Sequence, residues 1–122
     1  STMASAYSFY PNETLQNVHC STLDSMSEIQ ELPFVDLVKI DVEGMEYDVL
    51  MASKETLKKS RYILLEASVD RPATRPTLET LEYLHEIVPS LKLIHIGQIF
   101  GDAKRTDSVD FLFKNTAAGN TV

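Results

Sequence analysis

A single cysteine, Cys20, stands among 122 residues. No internal disulfide and no multi-cysteine zinc site can form, and a reducing, cytoplasmic setting fits that usage. Cys20 is read as a small packing residue, because His19 beside it in sequence is thin support for a nucleophile. Basic residues are also few: 11 Lys and Arg against 18 Asp and Glu give a net charge of −7. The only basic cluster, Lys58-Lys59-Arg61, reads as a solvated helix end. Nucleic acid needs a clustered cationic face, so it is excluded as a partner, and an anionic membrane surface is disfavoured for the same reason. No run approaches the ~18 apolar residues of a membrane span, and the N-terminus has no charged-then-apolar signal pattern. Ser1-Thr2-Met3-Ala4 does not read as a mature start.

What is present belongs to a globular α/β chain, with 43% hydrophobic and 24% charged residues. The length suits one compact domain with its own core. Residues 1–17 read as an irregular arm with one short extended piece, 18–114 as the folded portion, and 115–122 as a polar, fraying tail. Val18–Thr22 is expected as a short strand. Thr22 or Asp24 then caps a brief helix over Ser25–Glu31, which Pro33 stops.

Val35–Asp41 is the first firm strand. Its apolar residues point to both faces, Val35 and Leu37 against Val38 and Ile40, which predicts a central parallel strand covered on both sides. Met45, Val49, Leu50 and Leu57 then recur at helical intervals, and Ser53 restarts a second short helix. Acidic residues at the start of this stretch and lysines at its end match a helix dipole. Tyr62–Glu66 is the next strand, and the connection length implies a right-handed βαβ unit with parallel pairing. After the loop Asp70–Pro76, a helix near Thr77–Val88 presents Leu78, Leu81, Leu84, His85 and Val88. Leu91–Ile96 and Val109–Lys114 are two further strands. The segment Gly97–Asp107 between them has no helical period, so this last pair is expected to be antiparallel.

Chemistry concentrates where the first firm strand ends. Ligand sites in open α/β sheets lie beyond the carboxyl ends of the strands, and Asp41 occupies that position. It is a candidate to accept a proton or hydrogen bond from a substrate, or to position a cofactor; the plainer reading is a cap for the following helix. Glu43 and Glu46, three apart, share a helical face. They are candidates for the same crevice, or simply first-turn acids favoured by the dipole. Gly44 permits a tight turn and a close backbone approach. Glu66 ends the second strand on the side of Asp41 and is expected to line a substrate pocket. Arg71, in the loop that follows, is a candidate contact for an anionic group. Lys39 is expected to pair with a carboxylate such as Glu66. Asp41, Glu43, Glu46 and Asp24 also permit an oxygen-ligand Mg²⁺ or Ca²⁺ site, but the spacing is no EF-hand loop and no metal is assigned. The three histidines fall on separate elements.

Lys39-Ile40-Asp41-Val42-Glu43-Gly44-Met45-Glu46, followed by Val49-Leu50, resembles the signature of the FkbM family of S-adenosylmethionine-dependent methyltransferases. Thr22-Leu23-Asp24 resembles the element found ahead of that segment, Ile63-Leu64-Leu65-Glu66 the strand after it, and Asp110-Phe111-Leu112-Phe113 the terminal strand. The resemblance spans about residues 18–114. It implies a partial Rossmann-like class I methyltransferase sheet, with parallel strands, a terminal antiparallel strand and helices packed on the sheet. It implies S-adenosyl-L-methionine as cofactor and O-methylation of a small molecule or glycan. By position it assigns Asp41 and Glu43 to catalysis, Asp41, Gly44 and Glu46 to the cofactor, and Glu66 and Arg71 to the substrate.

Glycine is the remaining scarcity. Such enzymes grip the cofactor through a Gly-rich turn after their first strand, and this chain has only Gly44, Gly97, Gly101 and Gly119. None leads from a first strand into a helix. The sequence therefore reads as strands four to seven of the domain, inactive in isolation, and the edge of Val35–Asp41 is expected to self-associate, to pair with the N-terminal arm, or to meet a missing half. The alternative is a non-catalytic interaction or oligomerisation module that retains this portion of the fold.

Overall fold

The computed structural model describes residues 2–3 and 14–118. Eleven short elements are assigned along the described chain. Strand β1 (Thr2–Met3) pairs antiparallel with β2 (His19–Cys20). A 3₁₀ turn (Leu23–Ser25) and α1 (Ser27–Gln30) lead to β3 (Val35–Ile40), and α2 (Glu46–Met51) and α3 (Lys54–Lys58) lead to β4 (Ser60–Ser68). Then follow α4 (Thr77–Ile87), β5 (Leu91–Gly101) and β6 (Thr106–Asn115).

The principal sheet has the order β3-β4-β6-β5. β3 and β4 are parallel, as the βαβ reading requires. β6 inserts between β4 and β5 and runs antiparallel to both. The α/β class and the antiparallel last pair agree with expectation. The expected loop over Gly97–Asp107 does not. β5 runs on to Gly101 through several register irregularities, and only a tight turn separates it from β6. Bulges let two long strands stay paired without the strict alternation that would have marked them in sequence.

The core lies on one face of this sheet. Val38 and Ile40 of β3 and Ile63, Leu65 and Ala67 of β4 pack against Leu50, Leu57, Leu84 and Ile87 from the helices. Phe111 and Phe113 of β6 join them, opposite Leu65 and Ile63. The expected double-sided burial of β3 is not found: Leu37 is 51% exposed and Lys39 is exposed. The opposite face, which carries Leu37, Lys39, Tyr62 and Leu64, has no helix on it among the described residues. β3 likewise has β4 as its one partner among them, and the described part of the arm pairs with β2 instead. On α4, Leu78 and His85 turn outward, and Thr80, Leu84 and Ile87 turn in. Leu81, Leu84 and Val88 meet the core as expected, with Thr80 and Ile87 joining them in place of Leu78 and His85.

Asp24 does more than begin a helix. Its carboxylate accepts from the backbone N–H groups of Glu55 (3.0 Å) and Thr56 (2.9 Å) and from the Thr56 hydroxyl (2.7 Å). Ser53, at the N-cap of α3, makes no side-chain cap, so a residue about thirty positions upstream supplies it. Burial raises the Asp24 carboxyl, but these donors outweigh it and hold the group below its ordinary 3.8. Its stabilising effect is full above that ordinary value and disappears as pH falls through the lower native one. Asp24→Ala is expected to cost about 1–2 kcal/mol in urea unfolding at neutral pH, as cap losses do. The gap from wild type should close in strong acid. A gap that persisted there would show that the cap does not act through the ionised carboxylate.

Candidate functional site

β3 and β4 are parallel and adjacent, so their carboxyl ends deliver Asp41 and Glu66 to one edge of the sheet. Register does the rest. Glu66 lies opposite Asp110 of β6, and Ser108 donates its hydroxyl to Glu66 Oε1 at 3.0 Å. The Asp41 carboxyl lies close enough to act on the Glu66 carboxyl. Burial, then the neighbouring Asp41 carboxyl and the negative charge of Asp110, push the Glu66 carboxyl above its ordinary 4.5, against the Ser108 hydroxyl, which favours the ionised form. The expected Lys39–Glu66 ion pair is absent among the described residues. Lys39 points from the open face beside Leu64, and Glu66 is occupied by Asp41 and Ser108.

The turn after Asp41 is tight. Glu43 has φ +48° and Gly44 φ +104°. A side chain at Gly44 would also place its Cβ 3.0 Å from Thr74 Cγ2. The glycine is therefore needed twice, for its backbone angle and for the close approach of the β4–α4 loop. Gly44→Ala should destabilise the fold by about 1–3 kcal/mol, the scale of left-handed strain at a non-glycine residue. Thermal unfolding with no loss in this variant would mean the turn relaxes freely.

Glu46, expected at the cofactor, is turned inward. It is 5% exposed and accepts from the Ser68 amide (3.1 Å) and the Ser68 hydroxyl (2.6 Å), tying the start of α2 to the end of β4. Glu43 is exposed on the turn. Arg71 lies across from it, and both line a cleft of about 1030 Å³ between the β3–α2 turn and the β4–α4 loop. The structure thus joins Asp41 to Glu66, and Glu43 and Gly44 to Arg71. It does not bring Glu46 to either group. Gly44 thus sits close under Thr74, and Glu46 is bound to Ser68.

Ser108 and Asp110 escaped the sequence reading. Their role follows from strand register, and the only signal was polar residues alternating with Val109 and Phe111 in a terminal strand. Among the described residues no group of three or more His, Cys, Asp or Glu is placed to hold a metal ion. Asp24, one of the residues that had permitted such a site, is committed to α3.

The model of the methyltransferase FkbM domain matches residues 1–112 of this chain. The chain belongs to that family. It is also similar to the 2-O-methyltransferase NoeI of Sinorhizobium fredii, at 35% identity over 78 residues. That match covers 64% of this chain and 31% of NoeI, so the chain spans about a third of its curated relative. No solved structure matches. No helix among the described residues is long and apolar enough to cross a membrane.

Proposed function

We propose that this chain is the acceptor-side portion of an S-adenosylmethionine-dependent O-methyltransferase acting on a hydroxylated small molecule or glycan. The observation that carries the reading is the Asp41–Glu66 carboxyl pair at the strand ends of an FkbM-family chain. Methyl transfer to a hydroxyl needs the acceptor oriented and its proton removed. A carboxylate of this pair can accept a hydrogen bond from the hydroxyl. Its partner and Ser108 hold that carboxylate in place. A carboxyl raised above its ordinary value is also a better-matched base than an ordinary one. Glu43 stands at the mouth of the same strand end, where a second acceptor hydroxyl can reach it.

Cofactor grip is proposed to lie in a Gly-rich turn that this chain does not contain, so the 122 residues alone are inactive. The open edge of β3 and the open sheet face are where the remainder of the domain would dock. The single cysteine supports a reducing, cytoplasmic setting. The test is release of S-adenosylhomocysteine by a longer polypeptide carrying the whole family domain, offered a panel of mono- and oligosaccharides. Turnover on at least one hydroxylated acceptor is expected, and none from the 122-residue chain.

One observation favours a second reading, an interaction or oligomerisation module. The face bearing Leu37 and Tyr62 exposes both side chains, with no helix on it among the described residues, and exposed apolar groups of this kind mark contact surfaces. Sedimentation separates the two readings. A concentration-dependent dimer with no catalysis in the longer polypeptide would favour the module.

A further inference from the structure

Three of the four arginines of this acidic chain, Arg71, Arg75 and Arg105, line one cleft beside the proposed site. They come from two separate loops. Arg71 and Arg75 belong to the β4–α4 connection, and Arg105 to the turn between β5 and β6. That turn is built to a fixed shape. Asp102 Oδ1 accepts from the amides of Lys104 (2.8 Å) and Arg105 (3.0 Å), and Gly101 has φ +147° with no room for a Cβ beside the Arg105 carbonyl.

The three guanidinium groups differ in how they are engaged. Arg75 lies over the Tyr47 ring at 4.6 Å and is 3.7 Å from Glu79. Arg105 is 3.2 Å from Asp107. Both ion pairs are more than half exposed, so they are weak and exchange readily for an incoming anion. Arg71 has no ion pair among the described residues. The facing wall carries Glu43 and Asp48. It repels an anion and suits neutral hydroxyls. Both walls also hold residues with left-handed backbone, Glu43 at φ +48° and Ala73 at φ +63°, and such strain gathers at ligand clamps.

We propose that this cleft binds a hydroxylated acceptor bearing an anionic group, with Arg71 as its principal contact and Arg75 and Arg105 completing the anion site. Guanidinium forks match carboxylate and phosphate oxygens two at a time. The anion lies on the loop wall, and the hydroxyls turn toward Glu43 and the strand ends. Calling the ligand an acceptor rests on the methyltransferase reading; the anion site itself does not.

The test is heteronuclear NMR titration of the 122-residue chain with D-glucuronate, with glucose phosphate and with neutral D-glucose, following the Arg71 side-chain N–H and the Thr74 amide. One or both anionic sugars should shift these signals saturably, at least tenfold more tightly than glucose, and the tighter of the two identifies the carboxylate or phosphoryl class. Arg71→Ala should weaken that binding at least tenfold while keeping a dispersed amide spectrum. Arg71→Lys should fall between, and Lys104→Ala, on the same hairpin but outside the cleft, should bind as wild type. Equal response to glucose, or unchanged binding in Arg71→Ala, overturns the proposal. Failure of the methyltransferase reading shows separately, as a longer polypeptide that binds no S-adenosylhomocysteine.

Discussion

Leu65→Ala is expected to lower the unfolding free energy by about 3–4 kcal/mol. Leu65 is fully buried at the centre of β4, opposite Phe111 and adjacent in register to Ile40. Its neighbours sit on three strands and the helices above them, so they cannot collapse together into the space a leucine leaves. Large-to-small changes in such settings cost about 2–5 kcal/mol, the upper part of the range where relaxation is poor. Against a typical domain stability of about 5–15 kcal/mol, that is a major fraction. Leu37→Ser is the matched control, since Leu37 lies on the open face and is half exposed. It should change stability by less than about 0.5 kcal/mol. Urea unfolding of both variants tests the one-sided core. Comparable losses in the two would show that the open face is covered in solution.

Asp41→Asn and Glu66→Gln should each lower methyl transfer by about 10²- to 10⁴-fold in a polypeptide carrying the whole domain, the usual range for a lost general base. Stability should respond differently. Glu66 has its native carboxyl raised above the ordinary value, so the folded state favours its protonated form. Its contribution is full below the unfolded value and is lost as pH rises through the native one. Glu66→Gln removes that pH-dependent loss and should leave the fold at least as stable at neutral pH. The acid limb of the rate profile should lie above 4.5 in the wild type and be lost in Glu66→Gln, which lacks the raised carboxyl. Parallel loss of stability and activity in Glu66→Gln would assign the pair to the fold instead.

The strand and helix order was legible because each element carries its own period or its own stop. Val35–Asp41 ends on a polar residue and a glycine, Pro33 and Pro89 punctuate, and the Lys39–Glu46 segment is specific enough to point to a family. The carboxyl pair was half legible: Asp41 and Glu66 were both placed at strand ends, but nothing local states that register sets Glu66 beside Asp110 and Ser108. Non-local facts were hidden for one physical reason, that sequence records neighbours along the chain and not across a sheet. Ser108 and Asp110 reach Glu66 only through the register of β6, and Asp24 reaches α3 only through tertiary packing. The Glu46 carboxylate looked available because first-turn acids are usually solvated, and the Ser68 amide and hydroxyl that bury it lie 22 residues away. Apolar residues on both faces of β3 predicted two covers where the described chain supplies one.

The most direct measurement is calorimetric titration of S-adenosylhomocysteine into the 122-residue chain and into a longer polypeptide carrying the whole family domain. The account predicts no saturable heat from the short chain, which has no Gly-rich turn after a first strand, and micromolar binding by the longer one. Micromolar binding to the short chain would contradict the incomplete cofactor site, and no binding to either would contradict the methyltransferase reading itself.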